Sequence, residues 1–305
     1  MIKKNALKIL LVVGIIFVIF GSAVGGGYLV LDKIIVPKYL SSYGVTNLHE
    51  LVTMIKTMYG SPKESEFIYN PYSDADKVSA FNTLKNAGFP VNEGLGTIDY
   101  NAVAKAEYVL AVPAGTTLQF TDKEIASILD DILKSGAIAS NLEAVSSFDT
   151  VSMTAKEVVI TPKILEGGTV DGLSANISLT LAINTSLVRS EMATKMDVPL
   201  FLLNMIVPET LYFTCEFDIS KQLSGEYRYS SCVMKINGTT EEQSEVLINL
   251  LIDFIFDKKE QMTVEKLTAE LGGMVVYGLD LLGTFEFSNK IGANQNQNGL
   301  VVYIG

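Results

Sequence analysis

The sequence predicts an α+β protein: an N-terminal transmembrane helix followed by a curved antiparallel sheet, half-barrel-like, with packed helices. Three observations carry this expectation. Residues 9–31, ILLVVGIIFVIFGSAVGGGYLVL, hold no charge. At 1.5 Å per residue a helix of that length reaches roughly 34 Å, enough to cross a hydrocarbon core of about 30 Å. From Leu173 to Asn184, apolar Leu173, Ala175, Ile177, Leu179, Leu181 and Ile183 alternate with Ser174, Asn176, Ser178, Thr180, Ala182 and Asn184. That is the period-2 pattern of a strand with one buried face, and a strand this long suits a strongly bent sheet. After Thr121, and again after Thr239, apolar residues recur at three- and four-residue spacing instead, the mark of helices that pack by one face.

Composition narrows the classes of function. Beyond the apolar N-terminal run, roughly 270 of the 305 residues remain, enough for one large domain or two small ones. With 48% hydrophobic and 19% charged residues the chain is too apolar for disorder. A net charge of -11 repels phosphate backbones, so nucleic acid is not an expected partner. Only Arg189 and Arg228 supply guanidinium groups, which argues against arginine-based phosphate recognition.

Lys3, Lys4 and Lys8 precede the apolar run, while Asp32, Lys33 and Lys38 follow it. The positive-inside rule then places the N-terminus in the cytoplasm and the body outside, in a single-pass protein of the cell membrane. A cleaved signal peptide is the rival reading, with Ala23 and Gly25 near its cleavage site. The apolar run resumes at Tyr28–Leu31, which favours an uncleaved anchor. Gly21 and Gly25 form a GxxxG pair, a candidate face for helix dimerisation. The expected division is a cytoplasmic tail over 1–8, the anchor over 9–31, a helical and irregular spacer over 32–106, and an α+β body over 107–305.

Pro37 marks the exit from the anchor helix or a kink in it. Thr46–Met58 reads as a short amphipathic helix carrying His49, the single histidine. In the spacer, a helix is expected from about Asp76 to Ala87, capped by Asp74 and ended by Gly88. Tyr108–Val112 and Thr117–Phe120 read as strands. Thr121 with Glu124 makes a capping box for a helix whose apolar face is Ile125, Ile128, Leu129, Ile132 and Leu133, closed by Gly136. Asp130 and Asp131 fall on its solvated face. From Val151 to Ile160 a strand slips phase near Glu157, as a bulge would, and Glu166–Gly168 is turn material. Leu211–Ile219 and Tyr227–Ile236 flank Ser224-Gly225 as a hairpin. Cys215 and Cys232 lie nearly equidistant from that turn. They are either a cross-strand disulfide or two separate buried thiols. Thr239 or Thr240 starts a helix through Val246–Ile255. Thr263 starts another through Val275, ended by Gly283, and Phe285–Phe287 and Leu300–Ile304 close the chain as a strand pair.

The sequence contains no HExxH, CxxC, P-loop or GxGxxG motif, and a lone histidine supports neither a catalytic triad nor zinc. No cofactor, metal or catalytic residue is therefore expected. A carboxylate-only hydrolase stays open as a lesser reading, although no acidic pair stands out. Asn176, Asn184 and Asn237 each begin an N-x-S/T triplet.

The order of a short strand, LQFTDKEIASILDDIL, then long strands resembles the Gram-positive membrane-anchored YpmS-like proteins. It is similar also to the YceB-like lipoproteins and to tubular lipid-binding (TULIP-like) folds. The likeness covers about Thr117 to Ile236, and VPLFLLNMIVPETLYFTCEFDI resembles the proline-bounded apolar segment before a late strand in such proteins. The resemblance implies a groove between helix and sheet that accepts an acyl chain. The expected function is non-catalytic binding of a lipid or other apolar ligand outside the membrane. Candidate ligand-binding residues are Leu179, Leu181, Leu200, Phe201, Leu203, Ile206, Leu251 and Phe254, whose apolar surface exceeds what one sheet face covers. The alternative is a structural or assembly module of the cell envelope that works through a protein partner.

Overall fold

The computed structural model describes residues 31–41, 46–50, 64–66, 68–137, 153–186, 189–190, 193, 200, 204, 208–245, 248, 264–292 and 295–304. The chain divides into two compact units. One comprises Met1–Lys63, Asn184–Leu211 and Lys235–Val264; the other comprises Glu64–Ile183, Tyr212–Met234 and Glu265–Gly305. Among the described residues no helix is long and apolar enough to cross a membrane. The proposed anchor, with its Gly21–Gly25 pair, lies outside them except for Leu31.

In the first unit a π-helical turn, Leu31–Ile35, runs into α1, Val36–Leu40. The helix thus continues through Pro37, next to the π-turn, a usual accompaniment of an interrupted i→i−4 ladder. Asp32 accepts the Leu48 amide at 2.8 Å, and Leu48 is 1% exposed. The helical turn at 241–245 begins as expected: Thr240 and Gln243 exchange side-chain-to-amide bonds, each 3.3 Å. Beneath it Thr239 and Ser244 share a buried hydroxyl contact of 2.6 Å, and Ser244 accepts the Ile236 amide at 3.1 Å.

The second unit is α+β with antiparallel sheets and no closed barrel. Its first helix, α2 (Asp74–Ala87), starts one residue earlier than Asp74 as cap would require: Ser73 is the N-cap, and Asp76 completes a capping box with it. Gly88 ends α2 at φ +97°. The Ala111 amide would lie 2.2 Å from a Cβ at Gly88, so two backbones cross there where only glycine fits. A small ribbon of β1 (Val91–Asn92) and β2 (Thr97–Ile98) and a short α3 (Tyr100–Ala104) follow. The strand expected over Tyr108–Val112 is absent. That stretch is irregular, tied back by Ala111 N–H donating to Ala87 O at 2.8 Å, and Val109 is 89% exposed. Without a neighbouring strand to pair with, its apolar residues have no ladder to join.

β3 (Thr117–Thr121) leads directly into α4 (Asp122–Ser135) through the Thr121–Glu124 capping box. Glu124 accepts the Thr121 amide at 2.8 Å and Thr121 accepts the Glu124 amide at 3.2 Å. The apolar face of α4 is buried, with Ile125, Ile128, Leu129 and Ile132 all at or below 3% exposure, and it packs on β4.

β4 (Met153–Ile164), β5 (Val170–Asn184), β6 (Thr210–Lys221) and β7 (Tyr227–Ile236) form a four-stranded sheet in that order. The bulge anticipated from the phase slip is present: register shifts between Ala155 and Glu157. A second shift follows Pro162, tolerated because β4 is an edge strand. On β6 the odd-numbered Leu211 to Ile219 are buried. Thr180 meets Thr214 at 3.2 Å and Asn176 meets Asp218 at 3.1 Å, the constant register of an antiparallel β5–β6 pair. The 180–182 end of β5 is buried on both faces: Thr180 is 2% and Ala182 6% exposed. At its other end Leu173 is 43% exposed. After α5 (Val264–Asp280), β8 (Thr284–Ile291) and β9 (Gln297–Tyr303) close the chain, and β9 lies between β3 and β8 in a three-stranded antiparallel sheet.

Candidate ligand-binding site

Two places in the second unit concentrate chemistry-bearing side chains. The first lies under residues 68–77. Asp130 and Asp131 are expected on a solvated face, and the structure corrects this: Asp130 is 1% exposed. Asp130 accepts from the Tyr72 hydroxyl (2.7 Å), Lys134 (2.5 Å) and the Ala155 amide (3.1 Å). Asp131 takes Lys77 at 2.9 Å. The reason is that residues 68–77 lie over α4 and bring their own donors. Glu157, carried by the β4 bulge and 4% exposed, accepts the Tyr69 and Asn70 amides. Donors from the chain itself converge on these carboxylates, an arrangement that fastens a segment. Among the described residues, no three His, Cys, Asp or Glu side chains converge as a metal ion would require.

The second place is a cavity of about 380 Å³ between α5 and β7. Tyr227, Arg228 and Tyr229 line it from the strand, and Gly273, Val276, Tyr277 and Asp280 from the helix. Successive strand residues point to opposite faces. Three in a row can line one cavity only where it wraps the strand's edge, and β7 is an edge strand.

The helix makes room with two glycines. A Cβ on Gly272 would lie 2.9–3.0 Å from the Tyr229 ring, whereas one on Gly273 would meet nothing within 4 Å. Gly272 therefore seats the ring, and Gly273 leaves the floor of the cavity open. Tyr227 is fixed from behind: its ring stacks on Phe285 at 4.1 Å and 9° and meets Phe287 edge-on at 6.0 Å, while its hydroxyl donates to the Phe285 carbonyl. Lys221 Nζ stands 5.3 Å from the Tyr227 ring centroid, a cation–π contact.

The charges around the cavity are unequal. Burial, then Glu226, pushes the Asp280 carboxyl above its ordinary value, opposed by Lys221. Burial raises the Tyr227 hydroxyl, and Glu286, Asp280, Tyr303 and Asp171 add to the rise. Arg228 has Glu226 at 3.7 Å, both largely exposed.

Of the residues read from sequence as ligand-binding, Leu179 and Leu181 come together on the buried face of β5, 1% and 0% exposed, sealed in the core. Leu200 belongs to the other unit and is 42% exposed. Phe201, Leu203, Ile206, Leu251 and Phe254 lie outside the described residues. Cys215 is buried in β6, and the Cys232 side chain is outside the described set. Sequence reasoning missed Tyr227, Tyr229, Gly273, Tyr277 and Asp280. The one local signal was the Gly272-Gly273 pair inside a helix, where glycine costs about 1 kcal/mol relative to alanine and needs a packing or functional reason. Comparison with family models, with curated proteins and with solved structures gives no match.

Proposed function

We propose that this chain is a non-catalytic, membrane-anchored protein whose body stands outside the cell membrane and binds a lipid or other small apolar or amphiphilic molecule between a helix and a sheet. The observation that supports it is the cavity between α5 and β7, about 380 Å³ with Gly273 open at its floor. That volume falls within the usual range for small-molecule sites, and its walls combine three tyrosines with Arg228 and Asp280. Residues 9–31 supply the anchor in this reading. The four-stranded sheet is bent, half-barrel-like, and the two register breaks in β4 are where the bend is absorbed.

Native mass spectrometry of the full chain released from maltoside micelles, followed by organic extraction, tests the proposal. A discrete adduct that extracts as lipid or another small molecule, and that Gly273→Leu displaces, is the expected result. A clean apo mass for the wild-type chain sinks it and turns attention to a protein partner in the envelope.

A further inference from the structure

From the same cavity we infer the chemical class of the occupant: a ligand headed by an alkylammonium group, held against the tyrosine walls beside Asp280. This rests on the binding role proposed above. The first argument is the helix end. The C-terminus of an α-helix carries about half a negative charge, normally offset by Lys, Arg or His in the last turn. Helices α2 and α4 follow that rule with Lys85 and Lys134, whereas α5, like the short α3, has no basic residue in its last turn, and it ends on Asp280.

The second argument is the balance of neighbours. Asp280 from α5 lines the cavity, Glu226 from the hairpin raises its carboxyl, and Asp171 from β5 and Glu286 from β8 raise the Tyr227 hydroxyl. Lys221 from β6 opposes the rise at Asp280, and Arg228 from β7 lines the cavity. Arg228 stands 3.7 Å from Glu226, and Lys221 is the cation that acts on Asp280.

The third argument is the wall chemistry. Tyrosine faces present negative quadrupoles, and aromatic walls beside a carboxylate are the usual receptor for quaternary ammonium ions. The chain already uses this contact once, in Lys221 over Tyr227. An alkylammonium head would find the same attraction against Tyr229 and Tyr277, and its charge would relieve the crowding of carboxylates around Asp280.

The test is saturation-transfer NMR on the full chain in dodecyl maltoside, with choline chloride as the probe and 3,3-dimethylbutan-1-ol as its uncharged isostere. Saturable choline binding at least about tenfold tighter than the alcohol is expected. Gly273→Leu should abolish it, and Asp280→Asn should weaken it about tenfold without lowering the unfolding temperature. Equal affinity for the two probes overturns the inference, as does choline binding unchanged by Gly273→Leu. An adduct in the native spectrum without choline selectivity removes the ligand class and leaves the binding role standing. A clean apo mass together with no choline binding removes both. Nanodiscs separate the sources of the head group. If phosphatidylcholine discs suppress choline binding and phosphatidylglycerol discs do not, the ligand is a lipid head; if neither suppresses it, the ligand is a free amine.

Discussion

Helices α4 and α5 touch at Gly278, where a side-chain carbon would fall 2.8 Å from Leu129 Cδ2, yet they treat their acids in opposite ways: Asp130 is buried and Asp280 is exposed. Around α4 the buried acids are saturated by donors from the chain: Asp130 has three, and Asp131 has Lys77. Around α5 the last turn is left without a basic residue, and glycine opens a space beside Asp280. A saturated buried charge holds the fold together, because removing one partner strands the others. An exposed acid beside open volume, as Asp280 is, offers attraction to something else. The contrast distinguishes the two clusters by what surrounds the acids, since both are built from carboxylates and tyrosines.

The largest test of that contrast is Asp130→Ala. It leaves the buried Ala155 amide without an acceptor and takes the acid from half-buried Tyr72 and half-exposed Lys134, and an expected loss of about 3 kcal/mol should appear in denaturant unfolding of the full chain. A loss under about 1 kcal/mol would mean the cluster is not a fastening at all. Gly272→Ala comes next. It drives a methyl into the Tyr229 ring and should cost about 1–3 kcal/mol, read by thermal unfolding. Its neighbour should do the reverse: Gly273→Ala meets open space and should stabilise the helix by about 0.5–1 kcal/mol while reducing the ligand adduct. If both glycine variants shift stability in the same direction, the cavity is misplaced.

The smallest effect concerns Asp122, at the first turn of α4. Burial, then Glu157 and Asp76, raises its carboxyl above the ordinary 3.8, against the Lys123 amide and charge. A folded-state value above the unfolded one gives stability that is fully present below about pH 3.8 and is lost as pH rises through the raised value. Asp122→Asn should therefore be more stable than the wild type at pH 7, by a few tenths of a kcal/mol given partial exposure. The gain should vanish as pH falls below 3.8. A constant gain at every pH would point to helix propensity instead.

Much of the fold was legible because its signals are local. The Thr121–Glu124 box, the slip near Glu157, the Ser224-Gly225 turn and the Phe285–Ile304 strand pair each announce themselves within a few residues. Asp74 reads as the cap because SDAD offers two capping registers, and only the reach of Asp76 back to Ser73 decides between them. Asp130 was misread because nothing near it says that Tyr72, 58 positions earlier, will cover it. The cavity was harder still. Tyr229 and Tyr277 sit on separate elements with no shared pattern, and their meeting is a property of how α5 packs on β7.

The position of β9 bears on how the body comes into being. Thr117 pairs with Tyr303 from far back in the chain, and Thr284 pairs with the same residue from the other side. A ribosome that stalls before Gln297 releases a chain with β3 and β8 each lacking its partner. Such bare edges recruit strands from other molecules. Long separation along the chain also slows the search for the native pairing. The small sheet therefore closes only once β9 is present, and until then β3 and β8 keep bare edges.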